Sequence, residues 1–360
     1  MADVQPFRAV RYSGAAGSPA DLVAPPYDTV TDEERESLHT RSPYNVIHVT
    51  LPESADEAGR LYREWLAEGV LADDAEPAVW LAIEDHVGAD GVARERRGLI
   101  ASVAAEPYET GAVLPHERTR PRIRKERRRL LRATRVQPEP ILLLADTPLE
   151  LAVPAEPPAI EVAGTRLWRL RADAADGLRG AQLLIADGHH RYESAVELDE
   201  ELGFPGVRIM ALVVSTDDPG LQLLPTHRVF VNRPDLATGD DDEPCASLED
   251  ALGCLESEPY GWSAAVRYRR ADIGIVRGEP GQLDVELVDR QGLDGIRYTP
   301  RLDEARAAVD DGDADAAFIL RPPRVDDVFA MARRGQRMPP KSTYFYPKPL
   351  SGLLFHPVTQ

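Results

Sequence analysis

The chain has 360 residues, a formal net charge of −19, 43% hydrophobic residues and only two cysteines. That length can bury one large core or two smaller ones, and so acidic a balance argues against a general nucleic-acid binder. The longest aliphatic run, Ile141 to Ala145, is far too short to span a bilayer. Met1-Ala2-Asp3-Val4-Gln5-Pro6 lacks the basic-then-apolar pattern of a signal peptide. Cys245 and Cys254 have neither metal-type spacing nor a disulfide framework. A cytoplasmic enzyme with no membrane partner is expected, and its oligomeric state stays open.

Residues 6–12 alternate as a strand. Ala24-Pro25-Pro26-Tyr27-Asp28 must be an extended loop, because each proline fixes its own φ and biases the residue before it. Thr31 caps a short helix with an acidic first turn. Residues 45–51 read as a strand, and 55–70 as an amphipathic helix with Leu61, Trp65 and Leu66 inward. Residues 78–87 and 96–104 are predicted strands joined near Asp90-Gly91, a hairpin signal. A helix is expected from about Arg122, and buried strands over 141–145 and 207–215. The acidic run 239–243 is the predicted internal boundary, dividing the chain into 1–235 and 236–360. Beyond it come a short helix, strands between 264 and 288, and helices near 302–309 and 325–334. The fold class is mixed α/β (α+β), with substantial antiparallel pairing.

Ala186-Asp187-Gly188-His189-His190-Arg191-Tyr192-Glu193-Ser194-Ala195 is the most informative segment. It follows the apolar run Leu183-Leu184-Ile185 and opens a helical spacing at Tyr192, Ala195, Val196, Leu198 and Leu202. Gly188 lets the backbone turn, and the helix N-terminus that follows is a ready anion site. Asp187, Gly188, His189, His190 and Arg191 are therefore the expected phosphate cradle. The bland alternative is an Asp-Gly turn with a solvated basic helix start. Neither a P-loop nor a dinucleotide fingerprint is present.

From His116 to Arg135 the chain carries nine arginines and Lys125 against Glu117 and Glu126. Either a phosphate- or nucleic-acid-binding helix or a solvated basic face explains this reversal of sign. Glu117, beside His116, is a candidate general base or Mg²⁺ ligand; its alternative is a capping or surface-pairing role. Asp28 could stand near a transferred phosphate or simply make a turn. His227 and Arg228, after a strand and a proline, could reach the same anion or form an exposed strand pair. Lys341 and Ser342 are nominated as point-charge and hydroxyl donors to phosphate.

The Asp-Gly-His-His-Arg-Tyr-Glu-Ser-Ala segment resembles the signature of domain-of-unknown-function family 1015. Residues 24–28, 42–47, 115–119, 224–228 and 338–348 match in order, so the resemblance covers almost the whole chain. Its Gly-His-His-Arg-Tyr-Glu-Ser-Ala portion is also similar to a nucleotide-phosphate box of the ParB-like superfamily, which includes CTP-binding proteins and free-serine kinases. The resemblance implies a ParB-like nucleotide-binding core over 1–235, with the remainder completing the site. The expected activity is a nucleotide-dependent phosphotransferase acting on a small hydroxylated metabolite, with free L-serine as candidate. Catalysis would fall to Glu117, Asp28 and His116, with Mg²⁺ on Asp187 and Glu117, and ATP or ADP as nucleotide (CTP as alternative). The competing reading is a CTP- or ATP-binding regulatory module with a protein or RNA partner.

Overall fold

The computed structural model describes residues 2–202, 206–237 and 242–358; Gly239, Asp240 and Asp241 of the predicted boundary loop lie outside them. The chain forms two compact units. The first takes the chain up to Gln222, Met331–Gln336 and the segment from Pro347 onward; the second takes Leu223–Ala330 and Arg337–Tyr346. The division thus falls before His227, whose strand pairs with Ile296–Thr299 and Ala316–Ile319 of the second unit. A boundary at 235 would have cut that strand from its partners.

The first unit is built on a nine-stranded sheet. Its order is Val113–Leu114, Leu183–Asp187, Ile141–Ala145, Arg208–Ser215, Ala93–Ala104, Val79–Val87, Thr165–Leu170 and Ile160–Val162, with Val4–Gln5 also on Ala93–Ala104. Most pairs are antiparallel, but Arg208–Ser215 runs parallel to Ile141–Ala145. The uninterrupted apolar runs are buried on both sides, as expected for central strands. One face packs Leu143, Ile185, Ala211 and Val213 with Tyr192, Ala195 and Leu198 of the His189–Leu202 helix. The second unit holds a six-stranded antiparallel sheet with a cluster of apolar side chains on each face. The mixed α/β class stands. Among the described residues no helix is long and apolar enough to cross a membrane.

The run at 45–51 differs from its prediction. Ile47–Thr50 is a short helix, not a strand. Asn45, fully buried, donates through Nδ2 to the carbonyls of Asp21 and Val23, while its Oδ1 accepts the Ile47 N–H at 2.9 Å. That Asx turn, held in place by the two carbonyls, overrides the strand preference of a β-branched run.

The arginine-rich segment is the helix Pro121–Thr134. Three of its arginines are answered by the neighbouring helix: Arg124 pairs with Glu193 and Glu197, Arg128 with Glu197, and Arg132 with Glu201. Both series recur every four residues, so each set lies along one face of its helix. These three arginines thus hold two helices together.

Candidate phosphate site in the first unit

Leu183–Asp187 ends in a β-bulge: Ile185 faces Leu143, yet Asp187 already faces Leu142. The chain then turns at Gly188, with φ of 100°, into the helix beginning at His189. A Cβ at Gly188 would lie 2.4 Å from Ile141 Cγ2, so this close approach requires glycine. The expected strand–turn–helix is present.

Asp187 is held by two cations. Its Oδ2 accepts from Arg191 Nη2 at 2.8 Å, and its Oδ1 lies 2.8 Å from Lys348 Nζ. The same ammonium reaches Asp28 Oδ2 at 2.6 Å. Burial alone would raise the Asp187 pKa, but Lys348 and Arg191 outweigh it and hold the carboxyl well below its usual range. Lys348 is correspondingly pushed well above the ordinary lysine value: burial opposes the charge, and the two carboxylates overcome it. Lys348 was not among the nominated residues, although it closes one of the matched segments. Its place is set by a buried pair: Arg96 Nε donates to Glu84 at 2.8 Å, and Arg96 Nη1 donates to the Pro347 carbonyl.

Arg191 departs from its expected role. Its guanidinium faces Asp187, the Pro140 carbonyl at 2.9 Å and Glu139 at 3.3 Å. A mostly buried guanidinium takes the nearest carboxylates, so Arg191 positions Asp187. The histidines also differ from expectation. His189 Nε2 accepts the His116 N–H at 3.3 Å, and His190 Nε2 accepts the Arg120 N–H at 2.9 Å. One ring nitrogen of each is thus taken up by a backbone N–H of this chain. They stitch residues 116–120 across the helix start, which Thr119 reinforces by donating to Glu193. Half-buried Glu117 lies between the two anchors.

His116 is 1% exposed, its Nδ1 lies 2.6 Å from the Ile185 carbonyl, and its ring meets His189 edge-on. Burial lowers its pKa to about 4. The structure therefore makes His116 a positioning residue, not a proton-transfer group open to substrate. Because the unfolded chain binds this proton near pH 6.5 and the folded one only near 4, stability should fall as pH drops through that window. His116→Gln should flatten the slope of unfolding free energy between pH 7 and 4.5 by up to about 1 kcal/mol per pH unit; an unchanged slope would show that His116 is not buried neutral.

Four nominated residues belong to the second unit. His227 Nδ1 accepts the Leu320 N–H at 3.1 Å, and burial lowers its pKa to about 4. Arg228 is fully buried, pairs with Asp289 at 3.1 Å and donates to the carbonyls of Thr226 and Lys341. Ser342, also buried, donates to the Pro339 carbonyl. Within that unit the contacts of His227, Arg228 and Ser342 are those of internal polar groups, and Lys341 enters them through its carbonyl. The exposed-pair alternative for His227 and Arg228 is excluded by their burial.

The sequence profile of a family described as "Protein of unknown function (DUF1015)" matches residues 4–274. The chain belongs to the DUF1015 family. This DUF1015 protein is also similar to an ATP-dependent L-serine kinase of Staphylothermus marinus, at 21% identity over 169 residues. The match covers 44% of this chain and 65% of the relative, so the chain spans under two thirds of that relative's length. Solved structures similar to it include a conserved hypothetical protein from Pyrococcus furiosus, with TM-score 0.41 and 17% identity over 69% of this chain and 93% of that one. A free serine kinase in complex with AMP gives 0.43 and 17%, over 70% and 90%.

Proposed function

We propose that this DUF1015 protein is a nucleotide-dependent phosphotransferase acting on a small hydroxylated metabolite, with free L-serine as the first acceptor to try. The observation that carries this reading is the Asp28–Lys348–Asp187 cluster beside the helix start behind Gly188. Phosphoryl transfer asks a protein mainly for charge stabilisation, positioning and one base, and this site offers those parts. The serine kinase named among the relatives gives independent support for the reaction class.

In this reading the helix-start N–H groups and Lys348 meet the nucleotide phosphates, while Arg191 keeps Asp187 in place. Glu117, held across the same helix start, takes the proton of the acceptor hydroxyl as its oxygen bonds to phosphorus and the bond to the leaving nucleotide breaks. Among the described residues no three His, Cys, Asp or Glu side chains form a metal-holding group. Mg²⁺ bound with a nucleotide needs only one or two carboxylates beside the phosphates. Asp187 and Glu117 are the candidate ligands, Asp187 through an oxygen that now faces Lys348 or Arg191. Such an ion would neutralise phosphate charge.

Incubating the purified protein with ATP or ADP, Mg²⁺ and L-serine should yield phosphoserine. If nucleotide binds yet no hydroxylated metabolite is phosphorylated, the regulatory-module reading replaces this one.

A further inference from the structure

Arg127 differs from the arginines around it. Arg122, Arg124, Arg128, Arg129 and Arg132 each have a carboxylate partner. Arg127 has none among the described residues. Its guanidinium lies 4.1 Å from the centre of the Tyr27 ring, Nη1 donates to the Thr50 carbonyl at 2.9 Å, and Nε is buried with no partner. In a chain with 61 acidic residues, a guanidinium turned inward without one is unusual. Leaving such a donor unmade costs free energy, which favours an acceptor at that place.

Arg127 lines a cavity of about 60 Å³ together with Thr50, Glu139, Arg191, Leu131 and Ile141. Thr50 Oγ1 and Arg191 Nε are likewise buried without partners. Three unmatched donor-capable atoms thus belong to residues lining one cavity; Arg191 there is answered by Asp187 and Glu139, whereas Arg127 has no carboxylate among the described residues. The charge selects an anionic acceptor. The volume excludes a nucleotide, whose pockets run to roughly 300–1,000 Å³, and the apolar wall suits a short carbon skeleton.

We propose that this cavity is the subsite for the carboxylate end of the small acceptor, with Arg127 as its principal ligand. The acceptor class is then a small hydroxylated carboxylic acid, not a hydroxylated metabolite in general. The assignment of an acceptor rests on the phosphotransferase reading; the carboxylate contact does not. The cavity adjoins the phosphate site through shared residues: Arg191 lines it and holds Asp187, and Tyr27, under Arg127, precedes Asp28. A carboxylate here would give Arg127 the paired geometry that a guanidinium offers best.

Titration with L-serine and with ethanolamine, which keeps the hydroxyl and amine but lacks the carboxylate, isolates this contact. Wild-type protein should bind serine at least about tenfold more tightly than ethanolamine, the scale of one charged hydrogen bond. Arg127→Met should abolish that preference while ATP affinity changes less than about threefold. Thr50→Val, nearly isosteric, should reduce the preference severalfold and decides the matter if the arginine variant does not fold. Equal or absent binding of both ligands by wild type, or an undiminished preference in the variants, overturns the subsite. An Arg127-dependent serine preference in a protein that binds no nucleotide keeps the subsite and overturns the phosphotransferase reading.

Discussion

Lys348→Met is expected to lower the unfolding free energy by about 3–5 kcal/mol at pH 7, the usual cost of breaking a buried ion pair on one side. The Lys348 side chain is only 9% exposed, and its Nζ serves two carboxylates, Asp28 at 2.6 Å and Asp187 at 2.8 Å. Methionine keeps most of the volume but leaves two neighbouring carboxylates without their shared cation. The pH dependence follows from the directions of the shifts. In the wild type the depressed Asp187 pKa contributes stability above the unfolded value near 4, and this is lost as pH falls further. In the variant Asp187 keeps Arg191 but loses Lys348, so burial weighs more heavily on its charged form and protonation relieves part of the defect. The deficit should therefore shrink between pH 7 and 4. Urea unfolding of both proteins across that range checks it, and a deficit that stays constant with pH would rule out the shared-cation account.

Glu117→Gln should reduce turnover by roughly 10²–10⁴-fold, the usual weight of a general base. The amide keeps the shape of the side chain but accepts no proton. The segment that carries Glu117 is anchored by backbone N–H groups of His116 and Arg120 on His189 and His190, so the substitution leaves the helix start intact. Nucleotide affinity should stay within about threefold of wild type, which would assign Glu117 to the transition state and not to ground-state binding. Steady-state kinetics with a parallel nucleotide titration separate the two. A matching loss of affinity and turnover would make Glu117 a binding group, and unchanged turnover would remove it from the site.

The strand–Gly188–helix unit was legible in the sequence because everything that makes it is local. An apolar run, a glycine and a change of period from strand to helix fall within twenty residues, and short-range sterics enforce each. The Thr31 cap and the Asp90-Gly91 hairpin were readable for the same reason, as was the mixed α/β class. The strand assignment at 45–51 failed because the decisive contacts of Asn45 are to Asp21 and Val23, more than twenty positions away. The arginine helix lay between these cases. Its reversal of charge was plain, but only packing shows that it faces a stripe of Glu193, Glu197 and Glu201 at the same four-residue spacing. Lys348 and Arg127 were beyond sequence reasoning. Lys348 meets Asp28 across 320 positions, and Arg127 is set apart from its neighbours by having no carboxylate partner among the described residues. Local rules governed where the chain turns and where helices begin. Which charges are paired, which are buried and which stay unanswered was decided by tertiary structure, because desolvation and Coulomb attraction depend on distance in space and not on separation along the chain.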